Sequence, residues 1–366
     1  MFSQLLRRHI TPTLQRRATS IEQRRTTCIC AQSLQYCENG EPADVLQLVE
    51  LDISEPKMNE VLVRLLAAPI NPADINTIQG KYPVKPPLPA IAGNEGVGEV
   101  LRTGGSVQKF KRGQRVVVVE NGLGTWRTHA NFTEQQLLCI PHEMDLASAA
   151  TLVVNPPTAY RMLKDFVPLA QGDCIIQNGA NSAVGQIVHQ LCKAWGLKSI
   201  GIVRNRPNLE ELKTYLKLLG ASEVITEEEL AQKDVATKLC KLPSPRLALN
   251  CVGGKNASDM AKLLAAKGVM VTYGGMSRKP VMIPTPALIF KSISFCGFWV
   301  THWMREHKGK PERDKMFAEL IEFFNKGKLK GAKHEMVPLK EYKTAVAATL
   351  NVKGMVGKKY ILEMKC

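Results

Sequence analysis

The stretch Cys174-Ile-Ile-Gln-Asn-Gly-Ala-Asn-Ser-Ala-Val-Gly185-Gln-Ile-Val188, followed by Ser199-Ile-Gly-Ile-Val-Arg204-Asn-Arg206, decides how the chain is read. An apolar run, a turn of Gly, Asn and Ser, a helical pattern and a second apolar run form a strand–loop–helix–strand unit. Val184, Ile187, Val188, Leu191, Cys192 and Trp195 fall on one helical stripe that stops at Gly196. The first turn of such a helix offers unpaired N–H groups and the positive end of its dipole beside small residues. That combination receives a dinucleotide pyrophosphate. The match to G-x-G-x-x-G is incomplete, with Asn181 standing between Gly179 and Ser182, so the motif alone also allows an ordinary βα turn.

Outward from this unit, the middle of the chain alternates. Strand patterns at 173–177, 221–226, 246–252, 268–273 and 292–299 are interleaved with helical patterns at 207–220 and 227–241. This order predicts an α/β fold with a Rossmann doubly wound parallel sheet. The front is different. From about Asp44 it reads as short strands at 45–53, 60–67, 113–120, 126–132 and 137–140. A short helix begins at Pro72 after Asn71, and the run Gly80-Lys-Tyr82-Pro-Val-Lys-Pro-Pro-Leu-Pro89 forms an extended loop. Helical patterns at 311–325 and 339–349 and a strand at 358–364 are expected to return to the front domain.

The 366 residues, 45% of them hydrophobic, suit two domains with substantial cores. The uncharged stretch between Asp145 and Arg161 is too short for a membrane span and contains Pro156 and Pro157. Residues 1–30 carry six arginines against Glu22 alone, with Ser and Thr between them and no secretory apolar core, the pattern of a mitochondrial transit peptide. Of the net charge of +16, +5 lies in that segment, which leaves a basic body of +11. The ten cysteines sit mostly in apolar patterns, as in a reducing compartment, and no C-x2-C pair appears.

Past the second strand of the unit stand Arg204, Asn205 and Arg206, with no acid before Glu210. An enzyme that binds NAD places a carboxylate there for the ribose hydroxyls, whereas two guanidiniums suit a 2′-phosphate. NADPH is therefore the expected cofactor.

The motifs Asn71-Pro-Ala-Asp74, Gly93-Asn-Glu-Gly96, Asn155-Pro-Pro-Thr-Ala-Tyr160, Asn181-Ser-Ala-Val184, Leu247 to Lys255, Val271-Thr-Tyr-Gly-Gly-Met276 and Phe298-Trp299 resemble the medium-chain dehydrogenase/reductase superfamily over about residues 40–366. Within it they are most similar to the zinc-independent mitochondrial trans-2-enoyl thioester reductases, in the quinone oxidoreductase-like branch. The resemblance implies a GroES-like β-rich catalytic domain at 31–160, the Rossmann domain at 161–300 and a return to the catalytic domain at 301–366. In zinc members a Cys and the His of a Gly-His-Glu turn bind the metal. Asn71 and Asn94 stand at those places here, so no metal is expected.

The resemblance also implies the site. Tyr82 is the expected catalytic residue, a phenol donor for the developing enolate oxygen or for protonation at C2. Asn155, Asn181, Ser182, Ala183, Val184, Tyr273, Gly274, Gly275, Met276, Phe298, Trp299, Val300, Thr301 and Lys359 are expected to line the cofactor site with the arginine pair, and Trp299 to face both nicotinamide and acyl chain. Asn71 or Asp74 is placed to orient the Tyr82 loop.

The implied substrates are thioesters of acyl carrier protein or CoA. A basic body would steer an acidic carrier, with Arg305, Lys308 and Lys310 as candidate contacts. A homodimer is expected through an edge strand at 292–299, and the matrix as the place of work. Two alternatives stay open. One is an NADPH quinone or enone reductase of the same superfamily. The other is a basic RNA- or regulator-binding protein on a reductase fold, although no aromatic-interleaved basic motif supports it.

Overall fold

A computed structural model describes residues 28–350 and 358–365. The front comprises strands β1 (Ile29–Tyr36), β2 (Gln47–Ile53), β3 (Glu60–Pro69), β4 (Ala90–Ile91), β5 (Val97–Thr103), β6 (Arg115–Val118), β7 (His129–Thr133) and β8 (Leu137–Cys139). Two short helices, α1 (Pro42–Val45) and α2 (Pro72–Ile78), interrupt them. β1 lies outside the sequence reading, which begins strands near Asp44. Its first two residues, Ile29 and Cys30, fall inside the expected leader, of which residues 1–27 lie outside the described residues. The register Ile29↔Ile53 to Gln35↔Gln47 pairs β1 with β2 along nearly its whole length, so the 30/31 boundary cuts a strand.

Helices α3 (Leu146–Ala150) and α4 (Asn155–Asp165) lead to the parallel sheet. Its strands are β9 (Cys174–Asn178), β10 (Lys198–Val203), β11 (Glu223–Thr226), β12 (Leu247–Asn250), β13 (Val269–Thr272) and β14 (Ser294–Gly297). Their spatial order, β11-β10-β9-β12-β13-β14 with every pairing parallel, is the doubly wound arrangement in which the order reverses between β9 and β12. Ligands bind such sheets outside the carboxyl ends of the strands, at the reversal.

The first helix of this half, α5 (Ala183–Ala194), follows the apolar stripe. Ile187, Val188, Leu191 and Cys192 are buried, each contributing about 1.5–3 kcal/mol. Gln186, His189 and Gln190 are buried as well, where they meet Tyr215, Ser199 of β10 and the Lys330 backbone. The later helices are α6 (Leu209–Leu219), α7 (Glu227–Leu230), α8 (Val235–Lys238), α9 (Gly254–Lys262), α10 (Thr285–Lys291), α11 (Val300–Glu306), α12 (Pro311–Asn325) and α13 (Tyr342–Leu350), with strands β15 (His334–Pro338) and β16 (Lys359–Glu363). The single helix expected over 227–241 is two. Its buried residues Leu230 and Val235 are five positions apart, a spacing that one straight helix would turn to different sides.

α4 is absent from the sequence reading because Pro156 and Pro157 resemble a break. Both sit in its first turn, where a missing N–H costs nothing. The helix crosses the expected 160/161 boundary. One apolar cluster runs through it, from Val97, Val117 and Ile140 of the front to Ile175, Val188 and Leu191 of the parallel half. α12 joins the same cluster through Met316, Phe317 and Leu320. Its Glu319 accepts hydrogen bonds from Tyr160 Oη (2.7 Å) and Trp195 Nε1 (3.1 Å). The return to the front is therefore made by β15, β16 and α13, whose Tyr342 Oη donates to the Leu46 carbonyl at 2.9 Å, while α12 stays with the joining cluster. β16 pairs antiparallel with Ala67–Pro69 of β3, while β7 takes the other half of the same β3 edge.

Candidate active site

The sequence-derived residues gather at the carboxyl ends of the parallel strands. Past β9, Gly179 adopts φ +59°, and a Cβ there would stand 2.5 Å from Cys251 Sγ. Ser182 caps α5, its hydroxyl accepting from Gly185 N at 3.1 Å. A Cβ on Gly185 would lie 2.5 Å from the Ala180 carbonyl, so only glycine lets the loop fold back on the helix. The buried Asn181 offers its carbonyl to Gln186 Nε2 at 2.9 Å, and Ala183 and Val184 form the first turn. Past β10, Arg204 and Asn205 are exposed and Arg206 is half-buried. The Arg206 Nε donates to the Arg204 carbonyl at 3.3 Å, and among the described residues neither guanidinium forms an ion pair.

Past β13, Tyr273 N donates to the Asn250 carbonyl (2.9 Å) and Met276 N to that of Cys251 (2.9 Å), with Gly274 and Gly275 between. Burial, followed by the neighbouring Cys251 thiol, pushes the Tyr273 phenol well up. Past β14, Phe298 packs edge-on against Phe166, with centroids 6.0 Å apart, so its ring is a packing contact. Trp299, Val300 and Thr301 lead into α11.

Trp299 meets Tyr82 across the cleft. Its Nε1 donates to the Tyr82 hydroxyl at 2.7 Å, and the rings stand edge to face with centroids 5.9 Å apart. The hydroxyl oxygen thus accepts from the indole, with Thr301 as its other hydrogen-bond neighbour. Burial chiefly raises the Tyr82 pKa above the ordinary phenol value. Donors from Trp299 and Thr301 act in the opposite direction, Asp74 adds to the rise and Arg305 opposes it. Tyr82 is therefore a neutral donor at ordinary pH. Of the three candidate carrier contacts, Arg305 lies 5.9 Å over the Trp299 ring and Lys308 is held by Glu120 at 2.8 Å.

Beneath the tyrosine loop lies a buried polar cluster. Asp74 accepts from Asn71 N (2.7 Å) and Asn94 Nδ2 (2.6 Å), which closes half of a capping box on α2. Asn71 is the other member of the box. Its amide donates to Glu95 Oε1 (2.7 Å) and accepts from the Lys359 ammonium. Asn94 Oδ1 accepts from Gly122 N at 2.9 Å. Burial pushes the Asp74 carboxyl up to about 7, against the pull of the Asn71 and Asn94 hydrogen bonds, and with the Glu95 charge adding to the rise. It also raises Glu95 and lowers Lys359. Lys359, expected at the cofactor, thus turns its ammonium to Asn71.

Sequence reasoning missed Glu95, although it is the only charged residue from Ala90 to Gly98, which is a usable signal. It also missed Asn178. That side chain donates to Asn250 Oδ1 (2.7 Å) and Asn256 Oδ1 (2.9 Å) and accepts from Cys251 N (2.7 Å), tying β9 to β12 at the reversal. Two buried donors, Asn155 Nδ2 and Asn256 Nδ2, have no partner among the described residues. With the Ser182 turn and the unpaired arginines, they suit a phosphate-bearing, hydrogen-bonding dinucleotide.

Comparison with known proteins gives the same picture. Residues 57–154 match the alcohol dehydrogenase GroES-like domain and residues 183–324 the zinc-binding dehydrogenase family. The chain is 45% identical over 333 residues to the mitochondrial enoyl-[acyl-carrier-protein] reductase of Homo sapiens, covering 91% of this chain and 88% of that protein. It superposes with a TM-score of 0.86 and 36% identity on the Etr1p/NADP/crotonyl-CoA complex, covering 92% of this chain and 100% of that one. The same values hold for the mitochondrial 2-enoyl thioester reductase Etr1p/Etr2p heterodimer from Candida tropicalis.

Zinc chemistry does not suit the corresponding place in this chain. Asn71 and Asn94 spend their amides on Glu95, Lys359, Asp74 and Gly122, and a lysine ammonium adjoins them. Among the described residues no group of three or more His, Cys, Asp or Glu side chains could hold a metal. With its GroES-like front, its doubly wound nucleotide half and a phenol and indole facing one another between them, the chain belongs to the mitochondrial enoyl-[acyl-carrier-protein] reductase family of the medium-chain dehydrogenase/reductase superfamily.

Proposed function

We propose that the protein reduces the C2=C3 double bond of trans-2-enoyl thioesters with NADPH, the last reductive step of mitochondrial fatty acid synthesis, and that Tyr82 is its catalytic residue. The hydrogen bond from Trp299 Nε1 to the Tyr82 hydroxyl carries this reading. NADPH, when bound, supplies a hydride to C3. The C2=C3 electron pair then moves toward C1 and the thioester carbonyl oxygen becomes an enolate. Tyr82 donates its proton as a hydrogen bond to that oxygen, where charge grows, and so lowers the barrier. The enolate then collapses as C2 takes a proton, which Tyr82 can deliver and recover from solvent. The raised phenol pKa keeps this group protonated until that transfer.

The Ser182–Val184 turn would hold the pyrophosphate, the Arg204–Arg206 pair the 2′-phosphate, and Asn155 a polar edge of the cofactor. The resemblance to a structure holding NADP and crotonyl-CoA, itself a 2-enoyl thioester, supports both ligands. NADPH oxidation followed with a trans-2-enoyl-CoA and, in parallel, a quinone tests the reading. Tyr82→Phe should cost about 10²–10³ in kcat on the enoyl substrate with NADPH binding retained. Turnover of the quinone alone, or an unimpaired variant, overturns it.

The protein works in the mitochondrial matrix, a reading that the arginine-rich residues 1–30 support; protease protection in mitoplasts decides it. It pairs with a second copy through β14, the edge of the parallel sheet. Beside that edge Met282, Ile283, Leu288, Ile289 and Phe290 expose apolar surface, Phe290 to 80%. Phe290→Lys should give monomers by sedimentation, and a dimer that persists in that variant places the contact elsewhere.

A further inference from the structure

Glu95 is fully buried, 0% exposed. Its Oε1 accepts from Asn71 Nδ2 at 2.7 Å. Its Oε2 accepts from two consecutive backbone amides, Val153 N at 3.1 Å and Val154 N at 3.0 Å. Those amides form the turn that opens α4, and the first residue of α4 is Asn155. Asn155 is buried, its Nδ2 has no partner among the described residues, and its side chain shares a small internal cavity with Ala183 and Ile187 of α5 and with Lys359. On the far side, the Lys359 ammonium donates to Asn71 Oδ1. Continuous polar contact therefore runs from β16 through Asn71 and Glu95 to the turn that presents Asn155 beside the dinucleotide loop.

A buried carboxylate is costly unless its lone pairs are satisfied, and here three N–H groups and a nearby ammonium satisfy them. Two adjacent amides on one oxygen also fix the turn more narrowly than one hydrogen bond would, because both peptide planes must face the same point.

We propose that Glu95 is a positioning residue for the nucleotide pocket: by holding the Val153 and Val154 amides it sets the place of the Asn155 side chain, and Lys359 braces it through Asn71. The proposal rests on the NADPH reading only for the identity of the ligand.

NADPH titration of the full chain by fluorescence, without any enoyl substrate, tests it. Glu95→Gln leaves one acceptor and sets an amide donor against the Asn71 or valine donors. The NADPH dissociation constant should rise about tenfold, and in turnover the loss should fall on KM for NADPH rather than on KM for the enoyl thioester. Adding Asn71→Asp moves the carboxylate across the same hydrogen bond, beside Lys359, and lets the glutamine carbonyl keep both valine amides. This double variant should bind within about threefold of the parent, since the hydrogen bonds are restored. Asn155→Ala should weaken NADPH similarly, and combining it with Glu95→Gln should add little, because both act through one group.

Unchanged binding in Glu95→Gln, or losses that multiply with Asn155→Ala, overturns the proposal. If Glu95→Gln fails to fold, the Asn71→Asp/Glu95→Gln pair still decides, since a folded pair that binds tenfold weaker also overturns it. A parent that does not bind NADPH defeats the functional reading instead.

Discussion

The two faces of the cleft are built differently. The dinucleotide turn on the nucleotide face is local: Ser182 caps Gly185 three residues away, and Gln186 reaches Asn181 five residues away. The acceptor face is assembled from the ends of the chain, with Trp299 and Tyr82 separated by 217 residues and Lys359 and Asn71 by 288. A local turn forms with its helix, whereas the phenol is correctly placed only once both halves have folded. Substitutions on the first face should therefore remove a ligand contact and little else, while those on the second should also disturb the placement of a neighbour.

The largest effect beyond Tyr82 itself tests the first half of this contrast. Arg204→Ala with Arg206→Ala removes two charge-assisted contacts, each about 1.5–3 kcal/mol. KM for NADPH should rise about 10²-fold or more, while KM for NADH and kcat stay near their parent values. Steady-state kinetics with both nucleotides checks this, and equal losses for the two cofactors would show the arginines shaping the fold instead.

A smaller effect tests the second half. Trp299→Phe keeps an aromatic ring against Tyr82 but deletes the donor, and should lower kcat about tenfold, the order of one hydrogen bond. The same variant has a signature in pH. Burial already holds the Tyr82 pKa above its ordinary value of about 10. The neutral phenol is the active form, so activity is retained as pH rises and falls away only above that shifted pKa. The indole donor favours the phenolate, so deleting it raises the pKa further. The alkaline limb of kcat/KM should move to higher pH in Trp299→Phe, and a limb that moves down would mean another group titrates there.

Legibility in the sequence follows the same division. The α5 stripe and the Gly196 stop were readable because helical periodicity is a property of neighbours, and α5 ends at Ala194 with Trp195 as its cap. α2 was readable from Asn71 and Pro72 for the same reason. α4 was not, since a Pro-Pro pair signals a break until the start of the helix is known. β1 was hidden because a strand of mixed residues, Ile-Cys-Ala-Gln-Ser-Leu-Gln-Tyr, shows its face only when β2 is laid beside it. Asn71 and Asn94 could be recognised as unsuited to zinc from residue type alone. What replaces the metal, two carboxylates and a lysine drawn from three distant segments, could not.

By itself the sequence determined the alternation that makes a doubly wound sheet, the dinucleotide turn and the two guanidiniums beyond it, because each depends on residues close together in the chain. The tertiary structure decided that α4 joins the halves into one core, that Lys359 faces Asn71, that Glu95 holds the entrance to α4, and that the Tyr82 hydroxyl is an acceptor for Trp299. Those facts depend on which distant groups share a desolvated space, where an unmatched donor or charge is costly, and only the folded chain brings them together.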